Sequence, residues 1–230
     1  MQFDAGDNGL PQLKGWWIPV ASQSALTAIY LHGATGNLSD TVSELARLHT
    51  AGLNVLAFDY RGYGQSSFVH PSEKRWREDA EAAIHYLTDT RHIPAESLIL
   101  AGTGLGANLA LQTGADHHRL AGVILEDPID APADAIFRDP RARLVPAHLL
   151  VSDRWQSGPA ASDLAIPSLW ILRQSETHAP AAYDHVKSRK MIVWLTHSHT
   201  ADADHADALS RWLAELNSRP ASAGYHGAGP

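Results

Sequence analysis

The amino-acid sequence predicts an α/β fold, a mainly parallel sheet with helices on both faces. Two observations carry that expectation. Apolar runs of strand length alternate with stretches of helical periodicity along most of the chain, the order that links parallel strands through helical crossovers. The length of 230 residues suits one such domain, residues 1–217, built on a single sizeable core.

The elements follow in order. Leu13 to Val20 reads as an early strand, and Leu26 to Leu31 as a buried one that ends at His32-Gly33. Ser39 to Thr50 is helix-like, and Asn54 to Phe58 returns as a strand closed by Asp59. Ser72 follows a proline and suits the cap of a helix in which Trp76, Ala80, Ala83, Ile84 and Leu87 recur at helical spacing. Ser97 to Ala101, Ala121 to Leu125, Ser168 to Leu172 and Met191 to Leu195 are four more apolar runs of strand length. A last helix, about Ala203 to Asn217, sets Leu209, Trp212, Leu213 and Leu216 on one face. Between them, Asp127 to Ala165 is long, irregular and rich in Pro, Ala and Asp, the expected cap or crossover segment. Residues 218–230 read as a frayed tail. Trp16 and Trp17 are adjacent in a strand, so one faces the core and the other solvent.

Composition narrows the function. A formal charge of −7 without a Lys/Arg-rich run argues against a general nucleic-acid partner. The chain has no cysteine, which excludes disulfides, thiolate catalysis and cysteine-bound zinc. Met1 to Pro11 lacks the basic-then-apolar pattern of a secretory signal, and no apolar run approaches membrane-spanning length. The expectation is a cytoplasmic protein that uses no cofactor and no membrane. Its oligomeric state is left open.

The most informative segment is Gly102-Thr103-Gly104-Leu105-Gly106, between an apolar strand and the helix-prone stretch Ala107 to Gln112. Three other motifs accompany it. They are Leu13-Lys14-Gly15-Trp16-Trp17-Ile18-Pro19, Tyr30-Leu31-His32-Gly33-Ala34-Thr35-Gly36-Asn37, and Phe58-Asp59-Tyr60-Arg61-Gly62-Tyr63-Gly64-Gln65-Ser66. In this order and spacing the chain resembles the α/β-hydrolase superfamily, in its small intracellular esterase and peptidase-like branch, over roughly residues 5 to 217.

The resemblance implies a nucleophile elbow, a Gly-x-Ser-x-Gly turn from strand to helix. Gly104 stands where the serine should be. It further implies an oxyanion hole from the backbone N–H groups of Leu105 and of Ala34 in the His-Gly loop. Both donors are backbone groups, so a change of side chain at position 104 leaves them in place. The acid matches best at Glu176, where relatives carry Gly-x-x-Asp, so Arg173 and Glu176 are both departures. The histidine matches best at His199, with His197 second.

Replacing serine by glycine removes the attacking oxygen while relieving a backbone conformation that costs other residues on the order of 1–3 kcal/mol. Only binding and oxyanion stabilisation would then remain, roughly 10³–10⁴ over water. Thr103 points elsewhere on such a turn, and nothing poises Ser66, Ser67 or Ser175 as a substitute. The leading expectation is a hydrolase-fold protein impaired in ester hydrolysis that binds a small ester or acyl ligand. A second is an active hydrolase in which His199 deprotonates a water, and a third an engineered inactive variant of a working esterase.

Two rival readings remain open at this level. Gly102-x-Gly104-x-x-Ala107, with Glu126 ending the next strand, also fits a dinucleotide fingerprint and an NAD-type oxidoreductase. His197, His199, Asp202, Asp204 and His205 invite a zinc site, although Asp202 or Asp204 is more simply the N-cap of the last helix. Arg61 and Tyr63 read as structural residues that fix their turn.

Overall fold

The computed structural model describes residues 1–4, 12–22, 25–130, 155, 157–173, 178–195 and 201–218. Their strands are β1 (Gln2–Asp4), β2 (Gln12–Ile18), β3 (Thr27–Leu31), β4 (Asn54–Asp59), β5 (Leu98–Thr103), β6 (Gly122–Glu126), β7 (Ser168–Arg173) and β8 (Lys190–Leu195). They form one sheet in the order β1-β2-β4-β3-β5-β6-β7-β8. The pairs β1/β2 and β2/β4 are antiparallel and the rest are parallel. The helices are α1 (Val42–Thr50), α2 (Glu73–His85), α3 (Leu105–Asp116), α4 (Ser157–Asp163), α5 (Ala181–His185) and α6 (Ala201–Asn217).

The central strands are apolar throughout because both faces of the sheet are covered. Successive side chains alternate between two cores. Leu56, Phe58, Leu98, Leu100, Val123, Leu125 and Trp170 join the side of α2, α3 and α4. Val55, Ala57, Ile99, Ala101, Ile124, Leu169 and Ile171 join the side of α1 and α6. The helix α3 is mostly small or apolar, with Asn108 and Gln112 among its buried residues, and is buried over nearly its whole length, as its place between sheet and outer helices requires.

Most elements lie where the sequence places them, with instructive exceptions. The strand β1 was missed, because three residues that alternate around a single buried Phe3 carry too short a pattern to read. Ser39 begins no α-helix. Leu38–Thr41 is a 3₁₀ turn in which Asn37 and Asp40 form a reciprocal capping box, and α1 starts only at Val42. The helix α2 starts behind Ser72 as expected, its hydroxyl accepting from the Arg75 N–H, and widens into a π-helical turn over Tyr86–Thr90. The strand β5 extends through Thr103, which still pairs with Glu126. Ser157–Asp163 inside the supposedly irregular segment is helical. Asp202 and Asp204 lie within α6, in its first turn, so neither is its N-cap. There they favour the positive end of the helix dipole. Among the described residues no helix is long and apolar enough to cross a membrane.

Candidate active site

The chain passes from β3 to β4 on one side, while β5 lies on the other side of β3. This is a switch point, where the loops leaving neighbouring parallel strands part and open a crevice at their carboxyl ends. Leu31 pairs with Gly102 across it, so His32-Gly33-Ala34 and Thr103-Gly104-Leu105 leave the sheet side by side.

Close backbone packing brings the two loops together. A Cβ on Gly106 would fall 2.6 Å from the His32 carbonyl oxygen and nearer still to that of Leu31. A Cβ on Gly102 would fall 2.5 Å from the Gly106 carbonyl carbon and 2.8 Å from the Ala107 nitrogen. One on Gly33 would stand 3.4 Å from the Thr103 carbonyl oxygen. The first turn of α3 therefore presses on the loop after β3.

Gly104 is different. It caps α3 with φ 59° and ψ −122°, and its N–H donates to the Glu126 carbonyl at 2.9 Å. Its own carbonyl accepts from Ala107 and Asn108 at 3.1 and 3.3 Å. Among the described residues, the nearest atom to a Cβ here would be Ile129 Cδ1, at 4.0 Å. Leu105 is the first residue of α3, and the opening N–H groups of a helix have no acceptor within it. Ala34 lies in an exposed bend whose carbonyl accepts from the Tyr63 hydroxyl at 3.1 Å. Thus Ala34, Gly104 and Leu105 come to one edge of the sheet. The strands β7 and β8 end on that same edge, but Glu176, His197 and His199 lie outside the described residues, as does Ser175.

The loop after β3 is braced by rings. His32 is buried, 4.4 Å from the Tyr60 ring and 5.2 Å from that of Tyr63. Burial lowers its pKa, so the ring is neutral. Its Nδ1–H donates to the Gly33 carbonyl at 2.7 Å. Asp59 accepts from the Leu38 N–H at 2.7 Å, tying the end of β4 to the 3₁₀ turn. Ser66 donates to the Asp59 carbonyl at 2.5 Å and accepts from the Lys14 N–H at 2.9 Å. Ser67 accepts from the Gln12 N–H at 2.9 Å. Both serines fasten the turn to β2. Arg61 does the same toward α2, contacting Asp79 at 2.5 Å through Nε and at 2.8 Å through its backbone N–H. Burial nevertheless pushes the Asp79 carboxyl up to about 6. The Thr103 side chain leaves the turn for the opposite face, accepting from the Tyr30 hydroxyl at 3.3 Å. Trp16 is exposed, while Trp17 lies against the core beneath Arg91.

Two groups near the turn take roles that the sequence reading did not give them. Glu126 is buried 3.4 Å from Arg47 of α1 and 3.6 Å from His205 of α6. Its burial opposes ionisation, but His205 and Arg47 outweigh it and hold the carboxyl below its usual range. This carboxylate joins three elements and is not presented to a ribose, which removes the support for a dinucleotide site. His205 faces the same carboxylate, and among the described residues no group of three or more His, Asp or Glu could hold a metal ion. The second group is Asn108, one turn into α3 and 1% exposed. Its amide accepts from the Ile129 N–H at 2.9 Å and donates to the Ile129 carbonyl and the Ser157 hydroxyl, each at 2.8 Å. The available signal was a lone asparagine within the apolar run Leu105 to Leu111.

Comparison with known proteins agrees with this fold. The family described as serine aminopeptidase, S33, matches residues 23–208. The uncharacterised protein YfhR of Salmonella typhimurium is 35% identical over 226 residues, covering 89% of this chain and 74% of its own length. Among solved structures, Est1E from Butyrivibrio proteoclasticus with ferulic acid bound has a TM-score of 0.73 at 17% identity, covering 95% of this chain and 100% of that one. An esterase from Pyrococcus furiosus has a TM-score of 0.67 at 20% identity, with coverage of 94% and 90%. The two structural likenesses establish the shared fold.

Proposed function

The chain belongs to the serine aminopeptidase (S33) family of α/β-hydrolases, and from that premise we propose that Gly104 occupies its nucleophile position, leaving a protein impaired in ester hydrolysis that binds a small ester or acyl ligand. The observation that carries this reading is the turn itself. Gly104 has the positive φ of a strained strand-to-helix elbow, and among the described residues a Cβ there meets only Ile129, at 4.0 Å. None of the described residues packs closely enough to impose glycine at this position, and in this reading its effect is to delete a hydroxyl. The Leu105 and Ala34 N–H groups keep the places of oxyanion donors, and Glu176 and His199 are the acid and base that the resemblance assigns.

The test compares the native chain with Gly104→Ser on short-chain aryl esters and with a fluorophosphonate probe. The native chain should resist labelling and hydrolyse slowly. The variant should label at residue 104 and gain roughly 10³-fold or more in rate. Labelling of a serine in the native chain, or an inert variant that still folds, would overturn the proposal.

The space beside Gly104 favours one second reading, hydrolysis by water. His199 would take a proton from water as its oxygen attacks the ester carbonyl carbon. The two N–H groups would hold the oxyanion, and the expelled alkoxide would recover the proton from His199. Hydrolysis by the native chain that survives His199→Ala unchanged excludes this route.

A further inference from the structure

The nearest described atom to the open position at Gly104 is a methyl group, Ile129 Cδ1, 4.0 Å from where a Cβ would stand. That is ordinary contact distance between carbon atoms. Whatever occupies this position, a side chain or a bound acyl group, meets Ile129 first on that side.

Ile129 is not on a loose loop. Its N–H and carbonyl are both held by the buried Asn108 amide, at 2.9 and 2.8 Å. Two residues earlier, Asp127 has a positive φ of 45° and accepts from the Arg173 N–H at 2.9 Å. Its carboxylate also pairs with Arg173 Nε at 3.0 Å, locking the ends of β6 and β7 together. One residue later, Asp130 accepts from the Ala181 N–H at 2.8 Å. The wall is thus fixed on three consecutive supports, and Asn108 reaches it from the helix that Gly104 caps. Such preorganisation serves to set a shape more than to hold a chain end together.

We propose that Ile129, positioned by Asn108, is the specificity residue of this site, restricting it to short, uncharged acyl groups. The inference rests on the reading of Gly104 as the nucleophile position. A fixed methyl facing the reacting position offers no hydrogen bond to a polar acyl group and obstructs a long one. Its removal would open space for additional methylenes, each of which commonly changes selectivity by tenfold or more in an apolar pocket.

The experiment uses p-nitrophenyl acetate, butyrate and octanoate with Gly104→Ser, alone and combined with Ile129→Ala or Ile129→Phe. The octanoate-to-acetate ratio of kcat/KM should rise about tenfold or more with Ile129→Ala and fall with Ile129→Phe. A ratio unmoved by either substitution, or moved the same way by both, overturns the proposal. If Gly104→Ser folds but hydrolyses nothing, that failure belongs to the reading of Gly104. The specificity claim is then decided by calorimetric titration of acetate, butyrate and octanoate into the otherwise native chain and its Ile129→Ala variant. A selective gain for octanoate supports it, and an equal change at every length, or no binding, sinks it. Asn108→Ala, as the positioning residue, should broaden the ester series in the same direction as Ile129→Ala, with little further change when the two are combined. Additive effects would show that Asn108 acts elsewhere.

Discussion

The flanks and the centre of one turn are governed by different physics. At Gly102 and Gly106 the helix α3 lies so close to β5 and to the loop after β3 that a single added carbon strikes backbone atoms. Backbone cannot rotate away as a side chain can, so these two glycines are demanded by packing. At Gly104, between them, the nearest obstacle to a Cβ among the described residues is a methyl group 4.0 Å away. There it is the positive φ that favours glycine. A motif of three evenly spaced glycines thus contains two reasons for glycine. The flanks make the turn possible, while the centre is where chemistry could be added or lost with little effect on the fold.

Substitutions sharpen this contrast. Gly106→Ala should cost about 3 kcal/mol or more, enough to prevent folding in a marginal domain, because two carbonyl oxygens would have to move. Urea unfolding of the purified variant checks it, and a loss below about 1 kcal/mol would erase the difference between flank and centre. Asn108→Ala leaves the Ile129 N–H and carbonyl unpaired in a half-buried site, and should cost about 2–3 kcal/mol by the same measurement. Gly104→Ala meets its nearest described neighbour at 4.0 Å but takes a strained φ, so about 1–2 kcal/mol is expected, with the fold retained in its circular dichroism spectrum.

The smallest effect lies at the other end of the same helix. His117, next to the last residue of α3, meets Glu81 of α2 at 2.7 Å, and this hydrogen bond raises its pKa above the ordinary 6.5. A raised histidine pKa stabilises the fold fully below the unfolded value, and the contribution is lost as pH rises through the folded one. Stability should therefore decline from about pH 6.5 upward, by less than about 1 kcal/mol for so accessible a pair. His117→Gln should flatten that slope. If its thermal unfolding profile against pH matches that of the native chain, the contact contributes nothing.

The sequence displayed the fold because apolar runs and helical spacing are local patterns, and nearly every central strand carries one. It failed at β1, where three residues are too few to show a pattern, and at Leu38–Thr41, where side-chain capping favours a 3₁₀ turn over a helix. The triple-glycine run was equally plain, since its residues are contiguous. Glu126 and His205 are 79 residues apart in number and read separately as a ribose ligand and a zinc ligand, whereas folding turns them against each other. Asn108 and Ile129 were overlooked for the same reason. Their link depends on the register of β5 and β6, which brings the residues after β6 back over α3.

By itself the sequence determined the parallel sheet, the family and the absence of a hydroxyl at residue 104, because these are written in periodicity, motif order and residue identity. Tertiary structure alone decided which glycines are obligatory, which carboxylates are already paired, and which methyl stands over the turn. Those depend on distances between segments that are remote along the chain, and only the packed strands and helices fix them.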